Sequence, residues 1–373
     1  MSLHLSNGQP NVVRIAHLSR AKSSDDGGVA IAVAELVAQQ QATAFLEAAW
    51  FTPRDSAPFA PQVCTFAPEL LHVHGLWRAP NRLAARLQHQ LPVVVAPHGM
   101  LDPWAFAQHR RRKTLLWWAY ERRCLQRAAT LQAICSAEAQ ALRGLGLSAP
   151  IALIPNGVAL PDPSSAARNA LPPPCWVGAI PPGEAVLLFL GRFHHKKGLD
   201  PLLQAWQAVA AEATRAGWWL ALVGYGDGGQ LEQQLRANPV PRALACGPVF
   251  GAAKEAVLES SSAFVLPSHS EGLPMAALEA MAHQLPCLLS SACNLPEAFA
   301  AGAALQAEPD PVALAASLRQ LFALSPANRA AMGAAGQALV RERFSWPVVA
   351  QQTLELYRWI LGGGKPPGFV ELG

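Results

Sequence analysis

Short apolar runs alternate with amphipathic runs along most of this chain. In the first half, apolar runs that predict strands cover residues 12–18, 71–73, 92–96, 130–134 and 151–154. In the second half, comparable runs cover residues 185–190, 218–223, 264–267 and 286–289. The runs between them, for example 30–40 and 113–127, have helical periodicity. This alternation predicts an α/β protein in which helices cover both faces of parallel sheets.

The length of the chain and one proline-rich break predict two domains. A chain of 373 residues is longer than a single hydrophobic core usually supports. Residues 160–182 are rich in proline and alanine, which is typical of a linker. We therefore predict a Rossmann-like doubly wound domain at residues 1–165, a linker at 166–182 and a second such domain at 183–345. Because these sheets bind ligands outside the carboxyl ends of their strands, a central cleft between the domains is expected.

Composition excludes several classes of protein. No apolar run reaches the roughly 18 residues that a spanning helix needs, and residues 1–10 lack the apolar region of a signal peptide. We therefore expect a cytoplasmic protein. A net charge of +4 does not by itself imply a nucleic-acid partner. The seven cysteines are scattered without metal-ligand spacing, so reduced thiols and no metal site are expected.

The most informative segment is residues 268–281, in which Glu271 and Glu279 lie eight positions apart. An apolar strand precedes it and a helical run follows, with Pro274 suited to the first helical turn. The positive end of that helix suits a phosphate or a hydroxyl-rich ligand, although two glutamates at this spacing are often only solvated side chains. The context Ser270-Glu-Gly-Leu-Pro274 resembles the donor-site motif of retaining glycosyltransferases, most closely glycosyltransferase family 4.

A basic loop at residues 190–199 is the next match. Arg192 and Lys197 bracket the loop and together could neutralise a diphosphate, although a solvated basic turn is the commoner role of such residues. Members of the resembled family carry an arginine and a Lys-Gly pair here, on the leaving pyrophosphate. The resemblance therefore implies that both residues stabilise charge as the sugar leaves.

Residues 222–229 fit the glycine fingerprint of dinucleotide-binding proteins, with Gly224, Gly226 and Gly229 at its glycine positions. No acidic residue occurs at 243–247, where the ribose of NAD would need one, so NAD binding is not predicted. Family 4 enzymes have a similar loop near the nucleotide, which implies that Gly224 borders the donor. By the same resemblance, Val249 and Phe250 contact the base.

Three segments of the first half resemble the family's acceptor side. His98 follows a predicted strand, in a His-Gly-Met-Leu context that in the family approaches the transferred sugar. His74 and Gly75 occur at another strand end, and Gly27 and Gly28 form a glycine loop after the first strand. The resemblance places Gly27, His74 and Gly75 on the acceptor side and Gly28 near the donor phosphates.

A basic and aromatic segment allows two interpretations. Its bases and aromatic rings could dock on anionic lipid, or the rings could pack into the first domain while the bases face solvent or substrate. The residues concerned are Arg110, Arg111, Arg112, Lys113, Trp117 and Trp118. The expected location is accordingly cytoplasmic, with peripheral attachment to the inner face of the membrane left open.

The resemblance implies a GT-B fold, with the amphipathic helix of residues 346–373 packing back on the first domain. It implies a retaining, metal-independent transfer of a hexosyl unit from a nucleotide-diphosphate sugar to a glycan or lipid-linked acceptor, without a cofactor. Glu271 would hold sugar hydroxyls and Glu279 the ribose. Main-chain groups of Gly272, Leu273, Pro274 and Met275 would serve sugar or phosphate. Two alternatives stay open: a small soluble acceptor, and a nucleotide-sugar-binding subunit that needs a partner for activity.

Overall fold

The computed structural model describes residues 12–22, 28–43, 45–55, 58–102, 106, 110–164, 166, 169–226 and 228–373. These residues form two compact units. Unit 1 comprises the described residues up to Gly157 together with Trp346–Gly373, and unit 2 comprises Val158–Ser345. Among the described residues, no helix is both long enough and apolar enough to cross a bilayer.

Unit 1 is built on a mainly parallel sheet. Its strands are β1 (Val13–Leu18), β2 (Leu46–Phe51), β3 (Leu70–His74), β4 (Val93–Ala96), β5 (Thr130–Ala133) and β6 (Ile151–Leu153). Strands β3, β4 and β5 are buried at every position, as expected for a parallel sheet covered on both faces. Between the strands lie α1 (Gly28–Gln41), α2 (Phe59–Phe66), α3 (Ala79–Leu87), α4 (Arg110–Leu116), α5 (Arg122–Gln126) and α6 (Ser136–Gly144).

Unit 2 repeats the same plan. Its strands are β7 (Ala185–Arg192), β8 (Trp218–Tyr225), β9 (Ala243–Cys246), β10 (Ala263–Leu266), β11 (Cys287–Leu289) and β12 (Ala304–Gln306), all parallel, in the order β12-β11-β10-β7-β8-β9. Its helices are α7 (Leu199–Ala208), α8 (Ala210–Arg215), α9 (Gln230–Ala237), α10 (Ala252–Glu259), α11 (Met275–Ala282), α12 (Pro296–Ala300), α13 (Pro311–Ala323) and α14 (Pro326–Leu339). Helices α13 and α14 start at the side-chain caps Asp310 and Ser325, each followed by proline.

The end of the chain belongs to unit 1. Helix α15 (Trp346–Gly362) packs its apolar face into the core beside β1, β3 and α1, and Leu356 and Tyr357 are almost fully buried. Strand β13 (Val370–Glu371) then pairs antiparallel with β6 and completes the order β13-β6-β5-β4-β3-β1-β2. Trp346 packs so closely on Gly157 that an added Cβ would lie 2.3 Å from its ring.

The α/β class and the two doubly wound sheets are confirmed, but three details differ from expectation. Residues 166–182, predicted as a linker, fall within unit 2, and Trp176 and Ile180 among them are buried. The helix expected at 113–127 is interrupted by a π-helical turn at Trp117–Glu121. Four strands of the structure were not predicted: β2, β9, β12 and β13.

Candidate active site

The loops after β7 and β10 meet at the carboxyl edge of the unit 2 sheet. Arg192 is the last residue of β7, and a 3₁₀ turn at His195–Lys197 follows it. Gly198 closes this turn with φ of +69°, and an added Cβ there would lie 2.0 Å from the carbonyl oxygen of Pro267. Only glycine tolerates both the positive φ and this contact with backbone. The close approach brings the two predicted site segments together.

Lys197 and Glu271 form an ion pair at this junction. Lys197 Nζ lies 2.6 Å from Glu271 Oε1, and the Ser268 hydroxyl donates to the same oxygen at 2.5 Å. The main chain of Glu271 is held as well, because its N–H donates to Ala292 and its carbonyl oxygen accepts from Asn294 Nδ2. The Glu271 side chain is only 10% exposed. The loop is therefore preorganised around a carboxylate and a cation in direct contact.

Glu279 has its own lysine partner. It lies on α11, and its Oε1 is 2.8 Å from Nζ of Lys254 on α10. Both side chains keep part of their surface exposed, at 25% for Glu279 and 30% for Lys254. Lys254 was not predicted from the sequence, because no local motif links it to a glutamate 25 positions away.

The start of α11 differs from expectation in two respects. Pro274 is the N-cap residue, one position before the helix, and not a residue of its first turn. The N–H of Met275 donates to the carbonyl oxygen of Leu273, so this group is engaged within the turn. No side chain of the described residues caps the helix start. Gly272 and Leu273 lie in the loop between Glu271 and this start.

An exposed aromatic row lies beside Arg192. The guanidinium carbon of Arg192 is 6.0 Å from the Tyr225 ring centre, within the range of a cation–π contact. The Tyr225 ring is 6.2 Å from that of Phe250, which is 69% exposed, and Val249 precedes Phe250 in the same loop. No motif marks Tyr225 in the sequence, where it lies between the fingerprint residues Gly224 and Gly226. Gly224 lies within β8, where an added Cβ would be 1.8 Å from the Gly191 carbonyl oxygen, so strand packing alone requires glycine there.

In unit 1 the structure brings the predicted His74, Gly75 and His98 together. His74 ends β3 and Gly75 follows it, while His98 follows β4 with φ of +52°. His74 Nδ1 and His98 Nε2 are 3.1 Å apart. The turn at His98 is held by Glu138, a residue with no sequence signal, which accepts from the N–H groups of Gly99 at 2.6 Å and Ile134 at 2.8 Å.

His98 is the end of a buried hydrogen-bond chain. His17 lies 3.0 Å from His74, between Nδ1 and Nε2, and its Nε2 is 2.8 Å from Gln40 Oε1. With the Gln40 oxygen accepting from His17 Nε2, each neutral ring must accept at Nδ1 and donate from Nε2. His98 therefore presents Nδ1 as an acceptor, and this atom has no partner in the described part of the chain.

We call His17, His72, His74 and His98 the histidine cluster. Burial lowers the pKa of His17 and His98 to about 4, and it lowers the pKa of His72 and His74 well below the usual 6.5. All four rings are neutral near pH 7 for this reason. Nitrogens of His17, His72 and His74 lie within 4.8 Å of one another, a spacing that a metal ion could use. His17 Nε2 contacts Gln40, and His72 Nδ1 contacts the Tyr357 hydroxyl at 2.6 Å, whereas His72 Nε2 is buried without a partner among the described residues.

The predicted residues Gly27, Gly28 and Trp117 are not part of the contacts described above. Gly28 is the first residue of α1, and Gly27 lies outside the described residues. Trp117 is buried against Trp77 and Phe106, so it cannot act as a membrane anchor.

The basic segment next to it keeps an exposed part. Trp118 is 71% exposed under the guanidinium of Arg122. Arg111 and Arg112 are exposed and Lys113 is half-buried, whereas nothing is described of the Arg110 side chain.

Two family models match this chain. Residues 43–160 match the model described as Glycosyltransferase Family 4, and residues 184–323 match the one described as Glycosyl transferases group 1. The chain belongs to the family 4, group 1 glycosyltransferases. The first match covers most of unit 1 and the second covers the loops of Lys197, Glu271 and Glu279.

Known glycosyltransferases resemble this one in sequence and in fold. It is 29% identical to glycogen synthase of Mycobacterium tuberculosis over 313 residues, which is 81% of this chain and 72% of the relative. The structure of sucrose-phosphate synthase from Thermosynechococcus elongatus superposes with a TM-score of 0.73 at 21% identity, over 94% of this chain and all of that one. Anabaena HepE, solved in complex with UDP and glucose, gives a TM-score of 0.66 at 19% identity, over 92% and 98% of the two chains. The structural neighbours confirm the GT-B fold.

Proposed function

We propose that this glycosyltransferase moves a hexosyl unit from a nucleotide-diphosphate sugar to a hydroxyl of a glycan or lipid-linked acceptor. We further propose that the transfer retains the anomeric configuration and needs no metal ion. The observation that carries the proposal is the contact between Lys197 and Glu271 where β7 and β10 end. A cation and a carboxylate held side by side provide donors for a diphosphate and acceptors for sugar hydroxyls.

The neighbouring side chains extend this arrangement. Glu279 would accept from the ribose hydroxyls, with Lys254 keeping the carboxylate in place. Arg192 would contribute a second cation to the diphosphate, because its guanidinium offers a fork of donors. The ring of Phe250 would cover the base, because it is 69% exposed and therefore accessible to a ligand.

In the proposed step, the bond from the anomeric carbon to the leaving diphosphate oxygen breaks and a bond to the acceptor oxygen forms. The proton of the acceptor hydroxyl passes to the released diphosphate, so no side-chain base is consumed. Charge accumulates on the diphosphate as it leaves, and fixed cations such as Lys197 and Arg192 lower the barrier most at that point.

Two alternatives have some support. The fold neighbour sucrose-phosphate synthase favours a small soluble acceptor. A nucleotide-sugar-binding subunit without activity of its own would keep the same donor residues. The HepE structure, which contains UDP and glucose, supports a nucleotide sugar under each of these interpretations.

Thermal unfolding with UDP-, GDP- and ADP-sugars tests the donor site directly. A ligand present at about 100 times its dissociation constant should stabilise the protein by roughly 2.7 kcal/mol. We expect one nucleotide family to give this stabilisation and NAD to give none. Stabilisation by none of the sugars, in folded protein, would contradict the proposal.

Variants then separate the proposed roles. Glu279→Ala should weaken binding of both the free nucleotide diphosphate and the donor, whereas Glu271→Ala should mainly reduce transfer. Glu232→Ala is the matched control, since Glu232 also pairs with a cation at 2.6 Å but is exposed on α9. Arg192→Ala should lower turnover by at least about 10²-fold, the scale of removing one partner of transition-state charge.

Product analysis tests the mechanism. NMR of the glycosidic product should show the anomer of the donor, and an inverted product would refute retention. Turnover should be the same with and without a chelator, and loss of turnover that added Mg²⁺ or Mn²⁺ restores would refute metal independence.

A further inference from the structure

A cavity of about 370 Å³ opens in unit 1. It lies where β1 and β3 end, and its walls come from the loop between β3 and α3, from helix α4 and from the turn after β4. Ligands of open α/β sheets bind outside the carboxyl ends of strands, and this volume lies within the usual range of small-molecule sites. The lining residues are Arg20, His74, Gly75, Leu76, Trp77, Arg78, Met100, Arg112, Lys113 and Leu116.

The charges of this lining have one sign. Four of its side chains are cationic, namely Arg20, Arg78, Arg112 and Lys113, and none of the described lining residues is acidic. His74 is neutral because burial lowers its pKa well below 6.5. A concave surface with several cations concentrates positive potential and attracts anions.

A buried carboxyl group contacts one residue of this lining. Glu121 Oε2 accepts from the N–H of the lining residue Trp77 at 3.1 Å. Burial raises the pKa of Glu121 to about 7, so part of the population is uncharged at neutral pH. The anion site is thus centred on Arg78 and Arg112, with an apolar side made by Leu76, Met100 and Leu116.

We propose that this cavity binds the phosphate or diphosphate group of the acceptor. Phosphate carries up to about two negative charges near pH 7, which matches several cations better than a single carboxylate does. The two exposed arginines of the lining, Arg78 and Arg112, hold the phosphate oxygens as forks. Lys113 and Arg20 have partners within the protein and contribute only to the positive potential of the cavity. His74 links the lining to His98, since Nδ1 of His74 is 3.1 Å from Nε2 of His98. The proposal rests on the proposed function and narrows its acceptor to a phosphorylated one.

Helix α4 offers a matched pair of variants. Arg111 and Arg112 are neighbours and both are exposed, but only Arg112 lines the cavity. Isothermal titration calorimetry of the full chain with inorganic pyrophosphate, and separately with glucose 1-phosphate, measures the site. A saturating nucleoside diphosphate keeps these probes out of the donor site. Arg112→Gln and Arg78→Gln should each weaken binding about 10-fold, as expected for lost hydrogen bonds to a charged group, and Arg111→Gln by less than about 2-fold.

Absence of binding by both probes would overturn the proposal, and so would equal losses in Arg111→Gln and Arg112→Gln. Affinity should also fall as salt is raised, because the attraction is between charges. Donor binding by Arg78→Gln and Arg112→Gln should equal that of the wild type. If no nucleotide sugar binds but pyrophosphate binding still depends on Arg112, the proposed function fails while the anion site stands.

Vesicles distinguish the two sources of such a phosphate. Phosphatidylcholine vesicles with and without an isoprenyl diphosphate are sedimented with the protein. If the wild-type protein sediments only with vesicles that contain the isoprenyl diphosphate, and Arg112→Gln does not, the acceptor is lipid-linked. Binding of the soluble probes without sedimentation supports a soluble phosphorylated acceptor. The protein could also sediment with phosphatidylglycerol vesicles. If Arg111→Gln and Arg112→Gln reduced that sedimentation equally, the basic helix would bind the anionic membrane surface, and the cavity assignment would be overturned.

Discussion

The contact between Lys197 and Glu271 should contribute measurably to the stability of unit 2. Nζ and Oε1 are 2.6 Å apart, and the two side chains are 21% and 10% exposed. Exposed ion pairs contribute about 0.2–1 kcal/mol, and breaking a fully buried pair costs about 3–5 kcal/mol. This pair lies between those cases, so we expect a coupling energy of about 2 kcal/mol.

A double-mutant cycle measures this coupling. The variants Lys197→Met, Glu271→Gln and the double substitution are unfolded by scanning calorimetry without ligand. For a unit of this size, about 2 kcal/mol corresponds to roughly 4–8 °C in the melting temperature. Each single variant should lose most of that, and the double variant should lose little more, because the first substitution has already removed the interaction.

The pair Arg236–Glu232 is a natural control for exposure. Its N–O distance is also 2.6 Å, but its side chains are 77% and 42% exposed. The same cycle there should give only about 0.3–0.5 kcal/mol. If the coupling of Lys197 and Glu271 were no larger than that of the control pair, the inference that the donor loop is preorganised by partial burial would be refuted.

Three further predictions concern the fold around the sites. Gly198→Ala should destabilise unit 2 by roughly 3 kcal/mol, because its Cβ would meet the Pro267 carbonyl oxygen. Gly228→Ala is the control, since Gly228 has a similar φ of +68° but nothing near the added Cβ, and it should cost about 1–2 kcal/mol. Equal losses of stability in calorimetry would contradict the steric explanation. The histidine cluster has depressed pKa values, so unit 1 should lose stability as pH falls from about 6.5 towards 4, and acid titration of unfolding checks this. The raised pKa of Glu121 has the opposite sign, since stability is lost as pH rises through about 7. Glu121→Gln should therefore stabilise unit 1 more at pH 8 than at pH 5, and an equal effect at both would refute this assignment.

Much of the proposed donor side can be located from the sequence because its residues lie in short local motifs. Glu271 and Glu279 follow a buried strand in a recognisable context, and Arg192 and Lys197 follow another. Parallel strands bring their carboxyl ends to one edge of a sheet, so a strand-loop-helix pattern already places such residues near a common edge. The specific pairing was not predictable, since Lys197 contacts Glu271 across 74 positions. The contact of Lys254 with Glu279 was not predictable either, because the two residues lie on different helices, 25 positions apart.

The proposed acceptor side depends on contacts that no local motif encodes. His74 and His98 were identifiable at strand ends, but Gln40, Tyr357 and Glu138 were not, because no motif marks a residue that acts through another side chain. Tyr357 reaches His72 only because α15 returns to unit 1 from the end of the chain. The cavity likewise draws Arg20, Arg78 and Arg112 from three separate elements.

The sequence by itself determined the alternation of strands and helices, the two sheets and the residues whose neighbours form a motif. These depend on periodicity and on contacts close along the chain, where hydrophobic pattern and turn chemistry act directly. The tertiary structure alone decided which charges neutralise each other, which histidine nitrogen is left as an acceptor and where four cations line one cavity. Those properties depend on distances of a few ångströms between residues far apart in sequence, and burial then sets their pKa values and interaction strengths.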